Sequence, residues 1–187
     1  MKAIFSLFWQ VLTFKRGPED VVYSTKLLTL VVLANFLISA FGQSLGKLQQ
    51  LNIAIVLPLL AIVIEIVVIS ALLQFKGLTN RFVQAATAIF GCDTLLTVAT
   101  IPLLIISLGL SKGSPLLGLF GLMEVIILGW GFGLRAFIYH RTLNIGLLQA
   151  NMLALAVFLL TTMITIKVFP ELLVQATAAA AEASKSR

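Results

Sequence analysis

The hydrophobic residues of this chain fall into five long runs separated by short polar segments. A helix that crosses a hydrocarbon core of about 30 Å needs roughly 20 apolar residues, at 1.5 Å per residue. The runs therefore predict five transmembrane helices, at residues 21–41, 52–74, 82–104, 117–138 and 147–168. Because the connecting segments are short and rich in turn-forming residues, we expect consecutive helices to run antiparallel.

The chain opens with a shorter apolar segment, MKAIFSLFWQVLTF. No small-residue cleavage site follows it, so it does not match a signal peptide. On a helix, four polar residues would form one stripe: Lys2, Ser6, Gln10 and Thr13. Apolar side chains, Trp9 among them, would cover much of the remaining surface. This pattern predicts an amphipathic interfacial helix at residues 1–16; the alternative is the opening turn of a longer spanning helix.

The segment RGPED separates this helix from the first spanning run. Gly17 suits the end of one helix, and Pro18 suits the first position of the next. We therefore predict an all-α, polytopic membrane protein with one five-helix bundle at residues 17–169. An Ala-rich C-terminal tail, residues 170–187, follows the bundle and is assigned no function.

The composition agrees with a membrane protein and excludes several other classes. Hydrophobic residues make up 60% of the chain and charged residues 11%, whereas soluble domains are about 45–50% apolar and about 25% charged. The net charge of +6 comes from Lys and Arg scattered singly between apolar runs, so no nucleic-acid partner is predicted. One Cys and one His exclude an intramolecular disulfide and a His/Cys metal site, and no cofactor is predicted.

The positions of Lys and Arg predict the orientation in the membrane. One set of connecting segments holds Lys2, Lys15, Arg16, Lys26, Lys76, Arg81, Arg135 and Arg141. The opposite set holds Lys47, Lys112 and Lys167, with Lys185 and Arg187 far along the tail. Since the richer set faces the cytoplasm, we expect a cytoplasmic N-terminus and an outer C-terminus in a bacterial inner membrane.

Acidic residues inside the apolar runs are the candidates for chemistry. Measured along the predicted helices from the cytoplasmic side, Glu65 lies about 14 Å deep, Asp93 about 17 Å and Glu124 about 21 Å. Glu65 and Asp93 thus lie near the midplane on neighbouring helices and could touch. Arg135 falls only about 5 Å deep, about 9 Å nearer the surface than Glu65. Its long side chain could bridge part of that gap, but we expect it to extend away from the acids, towards His140 and Arg141 at the membrane surface.

An isolated charge at the midplane costs about 2.5–3.5 kcal/mol on insertion scales. Unpaired and dry, Glu65 and Asp93 are therefore expected to be neutral or to share one proton. One hypothesis makes them a proton- or cation-linked site, with Glu124 on the outer path and Thr97 on a polar seam. The other hypothesis is structural, with each acid hydrogen-bonded to a neighbouring helix to fix its packing.

The motif record argues against an enzyme. An intramembrane aspartyl protease needs two opposed aspartates, and the only other one is Asp20 at the interface. A single His excludes the H-E-x-x-H motif of zinc proteases.

In the fourth run, GLFGLMEVIILGWGFGL, Gly129 and Gly133 form a G-x-x-x-G pair that predicts close helix packing and a central place for this helix.

The layout resembles the Yip (Ypt/Rab-interacting) family of membrane proteins. The resemblance lies in the G-P element before the first span, in GCDTLLTVATIPLLI and in GWGFGLRAFIYHRTLNIGLLQANMLALAV. It implies the five-helix fold and a short bacterial-type member, and it implies no binding residues. The N-terminal interfacial helix and the glycine-rich fourth helix lead to our first functional hypothesis, a non-catalytic scaffold, assembly factor or membrane-organising protein with a membrane-protein partner or a second copy. The alternative is a small proton- or cation-coupled transporter that uses Glu65 and Asp93.

Overall fold

A computed structural model describes residues 2–45, 51–111 and 114–170, and these ranges contain helices and no strand. Two 3-10 turns, at Pro18–Asp20 and Thr79–Arg81, connect some of the helices. The α-helices are α1 (Lys2–Leu12), α2 (Thr25–Leu45), α3 (Leu51–Phe75), α4 (Phe82–Gly109), α5 (Pro115–Leu143) and α6 (Leu147–Val168). The predicted tail falls almost entirely outside the described residues.

Five of these helices, α2 to α6, are long and apolar enough to cross a membrane. This confirms the all-α fold with five long apolar helices and fits the multi-pass membrane topology expected from the hydrophobic runs. Several helix ends differ from the predicted ones: α4 continues five residues past 104 to Gly109, and α5 continues five residues past 138 to Leu143. No Gly or Pro interrupts the sequence AFIYHRTL, and the helix ends only where Asn144 adopts a left-handed conformation with φ 51°.

Side-chain hydrogen bonds tie several helix ends together at one end of the bundle. Arg81, just before α4, donates to the carbonyl oxygen of Thr142 near the end of α5, at 3.1 Å. Gln84 in the first turn of α4 donates to the carbonyl oxygen of Val21, ahead of α2, at 2.9 Å. We call this the packed end of the bundle, and the opposite end the open end. The packed end holds segments 13–24, 76–81 and 144–146.

Helix α4 is the centre of the bundle. It packs against α1, α2, α3 and α5, and its contact with α2 is the most extensive in the molecule. Helix α5 packs mainly against α4 and α6. The prediction that the glycine-rich fourth spanning helix, α5, is central was therefore wrong. Gly129 and Gly133 bring no neighbouring helix close, since an added Cβ at either position would meet no atom within 4 Å.

The tightest packing lies towards the packed end. In α4 the buried residues run from Val83 to Cys92 and none follows. In α5 they begin only at Gly131. Unlike α4 and α5, helix α3 also has buried residues at the open end of the bundle, Ile53 and Ala54 in its first turn. The helices therefore close together in one half of their length and leave space between them in the other.

The N-terminal helix α1 packs onto this closed half. Phe8, Val11 and Leu12 are buried, and the Phe8 ring lies against Gly91 of α4, where a Cβ would come within 2.4 Å of a ring carbon. Trp130 of α5 donates its indole N–H to the Leu12 carbonyl oxygen at 2.9 Å. Part of the apolar surface of α1, which the sequence pattern predicts to face lipid, is thus covered by the bundle itself.

Candidate functional site: an intramembrane charge cluster

Three spanning helices each contribute one charged side chain to a single cluster near the middle of the bundle. Glu65 comes from α3, Asp93 from α4 and Arg135 from α5. From the packed end they lie about 15, 16 and 12 Å along their helices, at 1.5 Å per residue. Tyr139 lies four residues after Arg135, which places both on one face of α5. We call these four residues the charge cluster.

Arg135 bridges the two acids, which do not touch each other directly. Its Nη2 donates to Asp93 Oδ2 in a hydrogen-bonded ion pair, and its Nε lies 3.7 Å from Glu65 Oε2. The Tyr139 hydroxyl donates to the other carboxylate oxygen of Glu65. Glu65 is 7% exposed and Tyr139 is fully buried, whereas the Arg135 side chain is 35% exposed. The guanidinium therefore lies at the boundary between the closed core and open space.

The predicted separation of Arg135 from the acids was wrong, and the cause is the end of α5. Because the helix continues to Leu143, Arg135 lies about 12 Å from the packed end instead of about 5 Å. The remaining offset of a few ångströms is within reach of an arginine side chain. Both acids therefore have a cationic partner, so they are not the isolated carboxyls that the sequence alone suggested.

Two cavities, of about 570 and 430 Å³, adjoin the charge cluster. They share six lining residues: Asn35, Ala61, Asp93, Val125, Leu128 and Arg135. The larger cavity extends towards the open end as far as Gly121, about 21 Å along α5 from Arg135. The smaller one is mainly apolar, is lined mostly by α3, α5 and α6, and reaches Glu65. Together we call them the central cavities.

The larger cavity has a polar wall on α4. Asp93, Thr97 and Thr100 lie at helical spacing and all line it. The Thr97 hydroxyl donates to the Asp93 carbonyl at 2.9 Å, and the Thr100 hydroxyl donates to the Thr97 carbonyl at 2.8 Å. With their protons used in this way, the two hydroxyl oxygens can act only as acceptors towards the cavity. Such a wall suits a cation or a proton-carrying water.

Glu124 lines the same cavity, nearer to the open end, and stays apart from the charge cluster. It is eleven residues from Arg135 on one helix, which corresponds to about 16 Å. Of the candidate residues predicted from sequence, Glu65, Asp93 and Arg135 are thus brought together. Thr97 and Glu124 extend the same cavity towards the open end.

Sequence reasoning missed Tyr139 and Asn35. The signal for Tyr139 was its four-residue spacing from Arg135, which becomes visible only once α5 is known to continue through it. Asn35 is buried in α2, where its side-chain amide donates to the Phe90 carbonyl at 3.4 Å, and it lines both central cavities. Within the described ranges, no group of three or more His, Cys, Asp and Glu residues is placed to hold a metal ion.

No protein-family model, curated protein or solved structure matches this chain. The resemblance of its layout to the Yip family therefore stays a prediction. The charge cluster and the central cavities are the observations from which a function can be argued.

Proposed function

We propose that this protein is a small membrane carrier that binds a proton or a monovalent cation at Glu65, Asp93 and Arg135. One observation carries the proposal: charged side chains from three spanning helices meet at the wall of cavities that extend towards one end of the bundle. A purely structural ion pair needs no such space beside it. In a membrane bundle, ionisable residues that line a cavity are typical of substrate and ion pathways.

The charges of the cluster suggest how many positive charges it binds per chain. Two carboxylates and one guanidinium give a net charge of −1 when all three are ionised. A net charge is costly at this depth, so the cluster favours uptake of one further positive charge. A proton or a monovalent cation on the carboxylates would make the site neutral. We therefore infer that one positive charge is bound and released per chain.

The proposal predicts that Asp93→Asn strongly reduces the rate of transport. Asn keeps the size of the side chain but removes the negative charge that faces both Arg135 and the larger cavity. In proteoliposomes loaded with a fluorescent dye specific for the ion under test, wild-type protein should dissipate an imposed gradient of H⁺, Na⁺ or K⁺. Asp93→Asn and Glu65→Gln should each reduce the initial rate at least about tenfold, as expected when a group that binds the transported ion is lost.

Two further variants serve as comparisons in the same assay. Asp20→Asn removes an acid in the Pro18–Asp20 turn, outside the spanning helices, and should leave the rate unchanged. Glu124→Gln removes an acid of the same cavity without disturbing the ion pairs, so a smaller loss is expected. If the wild type dissipates no gradient, or if Asp93→Asn and Glu65→Gln transport like the wild type, the carrier proposal is wrong.

A second candidate function is a scaffold that assembles with a membrane partner or a second copy, and Gly133 favours it. An added Cβ there would meet no atom within 4 Å. Among the described residues nothing covers this side of α5, so a helix of a partner or of a second copy can approach it closely. Phe5 and Trp9 are exposed on the outer side of α1. Because Phe8 and Leu12 of α1 contact Gly91 and Trp130 at mid-bundle depth, we propose that this outer side faces lipid or a partner and not the headgroup region. With the Lys and Arg residues gathered at the packed end, we propose that this end faces the cytoplasm of a bacterial inner membrane.

The scaffold proposal predicts that Gly133→Leu releases the partner or the second copy. The added side chain would stand between the two helices, and a G-x-x-x-G contact does not tolerate this bulk. Cross-linking in native membranes, followed by mass determination in detergent, should show the larger species in the wild type and its loss in Gly133→Leu. Leu122→Phe, which changes an exposed apolar side chain of α5 but no glycine, is the matched control. Equal cross-linking in all three proteins would contradict the scaffold proposal.

A further inference from the structure

A third cavity, of about 560 Å³, lies at the packed end, away from the charge cluster. The polar side chains that matter here are Glu19, Arg81, His140, Arg141 and Thr142. They come from the Pro18–Asp20 turn, the Thr79–Arg81 turn and the end of α5. We call this space the loop-end cavity. Because it lies among the connections between spanning helices, it is at the depth of lipid headgroups when the bundle crosses a bilayer.

The two arginines of the loop-end cavity keep donors free. Arg81 uses Nη1 to donate to the Thr142 carbonyl oxygen at 3.1 Å and to Oδ1 of Asn144 at 3.2 Å. Arg141 uses Nη2 in its ion pair with Glu19. The remaining N–H groups of both guanidiniums have no hydrogen-bond partner among the described residues. A guanidinium fork with free donors matches the geometry of phosphate oxygens.

The Thr142 hydroxyl is an independent sign of a ligand. Thr142 is only 3% exposed. Within the described ranges, its Oγ1 is the one buried side-chain polar atom that has no hydrogen-bond partner. Other buried or half-buried threonines of the bundle, such as Thr87, donate to the carbonyl oxygen four residues earlier. A buried hydroxyl without a partner costs about 1–3 kcal/mol, so its position in a cavity wall beside two arginines points to a missing acceptor.

We propose that the loop-end cavity binds a phosphate group, held by the free N–H donors of Arg81 and Arg141 and by the Thr142 hydroxyl. Arg81, Arg141 and Glu19 together contribute a net charge of +1 to the cavity wall, which matches the single negative charge of a phosphodiester. The phosphate can belong to an anionic phospholipid or to a soluble phosphate ester. The headgroup depth of the cavity favours the lipid, since basic pockets between spanning helices bind anionic headgroups.

The proposal is tested by ligand-dependent thermal stabilisation of the purified full-length protein in a neutral detergent. The probes are short-chain phosphatidylglycerol, short-chain phosphatidylcholine and glycerol phosphate. Phosphatidylglycerol should raise the unfolding temperature in a saturable way, and phosphatidylcholine should not. If glycerol phosphate stabilises equally well at the same concentration, the phosphate site is supported and its natural ligand is soluble.

Variants separate a bound phosphate from a general effect of charge. Arg81→Gln and Arg141→Gln should each weaken the apparent affinity for phosphatidylglycerol at least about tenfold. Lys76→Gln removes the same charge at the packed end but does not line the cavity, and it should keep the wild-type affinity. Glu19→Gln frees Arg141 and raises the net charge of the wall, so it should bind more tightly.

Thr142→Val gives the decisive comparison, because it leaves every charge in place. Without ligand, this variant should be as stable as the wild type or more stable, since it removes an unpaired hydroxyl. With phosphatidylglycerol it should gain clearly less stabilisation than the wild type. Thr87→Val, in α4 and outside the loop-end cavity, is the control for loss of a buried hydroxyl. The proposal is overturned if phosphatidylglycerol gives no stabilisation, or if Thr142→Val and Arg141→Gln respond to it in the same way as Lys76→Gln.

Discussion

Replacing Arg135 by Gln is expected to lower the free energy of unfolding by about 3 kcal/mol, because the buried Glu65 and the half-buried Asp93 would lose their shared cation. Removing one partner of a buried ion pair typically costs about 3–5 kcal/mol, since the remaining charge is left unpaired. We place Arg135 at the lower end of this range because its side chain is 35% exposed. Glu65 would keep the hydrogen bond from Tyr139, but Asp93 would lose its ion-pair partner.

The measurement is reversible unfolding of the purified protein in mixed micelles, followed by tryptophan fluorescence. Arg141→Gln is the matched control, since it breaks an ion pair with Glu19 in which both side chains are nearly half exposed. Exposed pairs contribute about 0–1 kcal/mol, so this variant should be close to the wild type in the absence of lipid. Equal loss of stability in the two variants would show that the charge cluster is not a buried ion-pair site.

A compensating variant tests the cause of the instability. Arg135→Gln combined with Asp93→Asn removes one charge of each sign and leaves only Glu65, which retains its Tyr139 hydrogen bond. We expect the double variant to recover most of the lost stability, with a coupling energy of about 1–3 kcal/mol between the two positions. Strict additivity of the two single losses would contradict the bridge described for Arg135.

The number of spanning helices could be predicted from the sequence because it depends on the length of each apolar run. The partners of the charged side chains could not, because they depend on where helices end. Arg135 shows the difference: five further residues at the end of α5 move it about 7 Å deeper, from the surface to the acids. Glu65 and Asp93 lie at similar depths in the prediction and in the structure, since the predicted ends of α3 and α4 at the packed end are within one residue of the observed ends.

Glycine patterns were less informative than charge positions. Gly129 and Gly133 form the motif that predicts close packing, yet neither meets a neighbouring helix within the described chain. The glycine that does permit close packing is Gly91, which belongs to no recognisable motif. Its role depends on where Phe8 of α1 lies in three dimensions, and a helical periodicity cannot supply that information.

Replacing Gly91 by Ala is therefore the second large effect we expect, and it should displace α1 from the bundle. The new Cβ would lie 2.4, 2.6 and 2.7 Å from three carbon atoms of the Phe8 ring. A phenyl ring between two helices cannot bend away, so the ring and α1 must move together. Overpacking of this kind typically costs about 1–3 kcal/mol. Gly129→Ala is the matched control, because its Cβ meets nothing within 4 Å and Ala is the better helix former.

Cys92 reports on this displacement without further engineering. It is the only cysteine of the chain, it is fully buried, and its thiol lies 3.7 Å from the Phe8 carbonyl oxygen beneath α1. A small maleimide should therefore label the wild type and Gly129→Ala slowly, and Gly91→Ala at least about tenfold faster, as expected for an opening that is easier by about 1.4 kcal/mol. Phe8→Leu in the Gly91→Ala background should slow the labelling again, since a smaller side chain leaves room for the methyl group. If Gly91→Ala is labelled as slowly as Gly129→Ala, α1 does not depend on this contact for its position over α4.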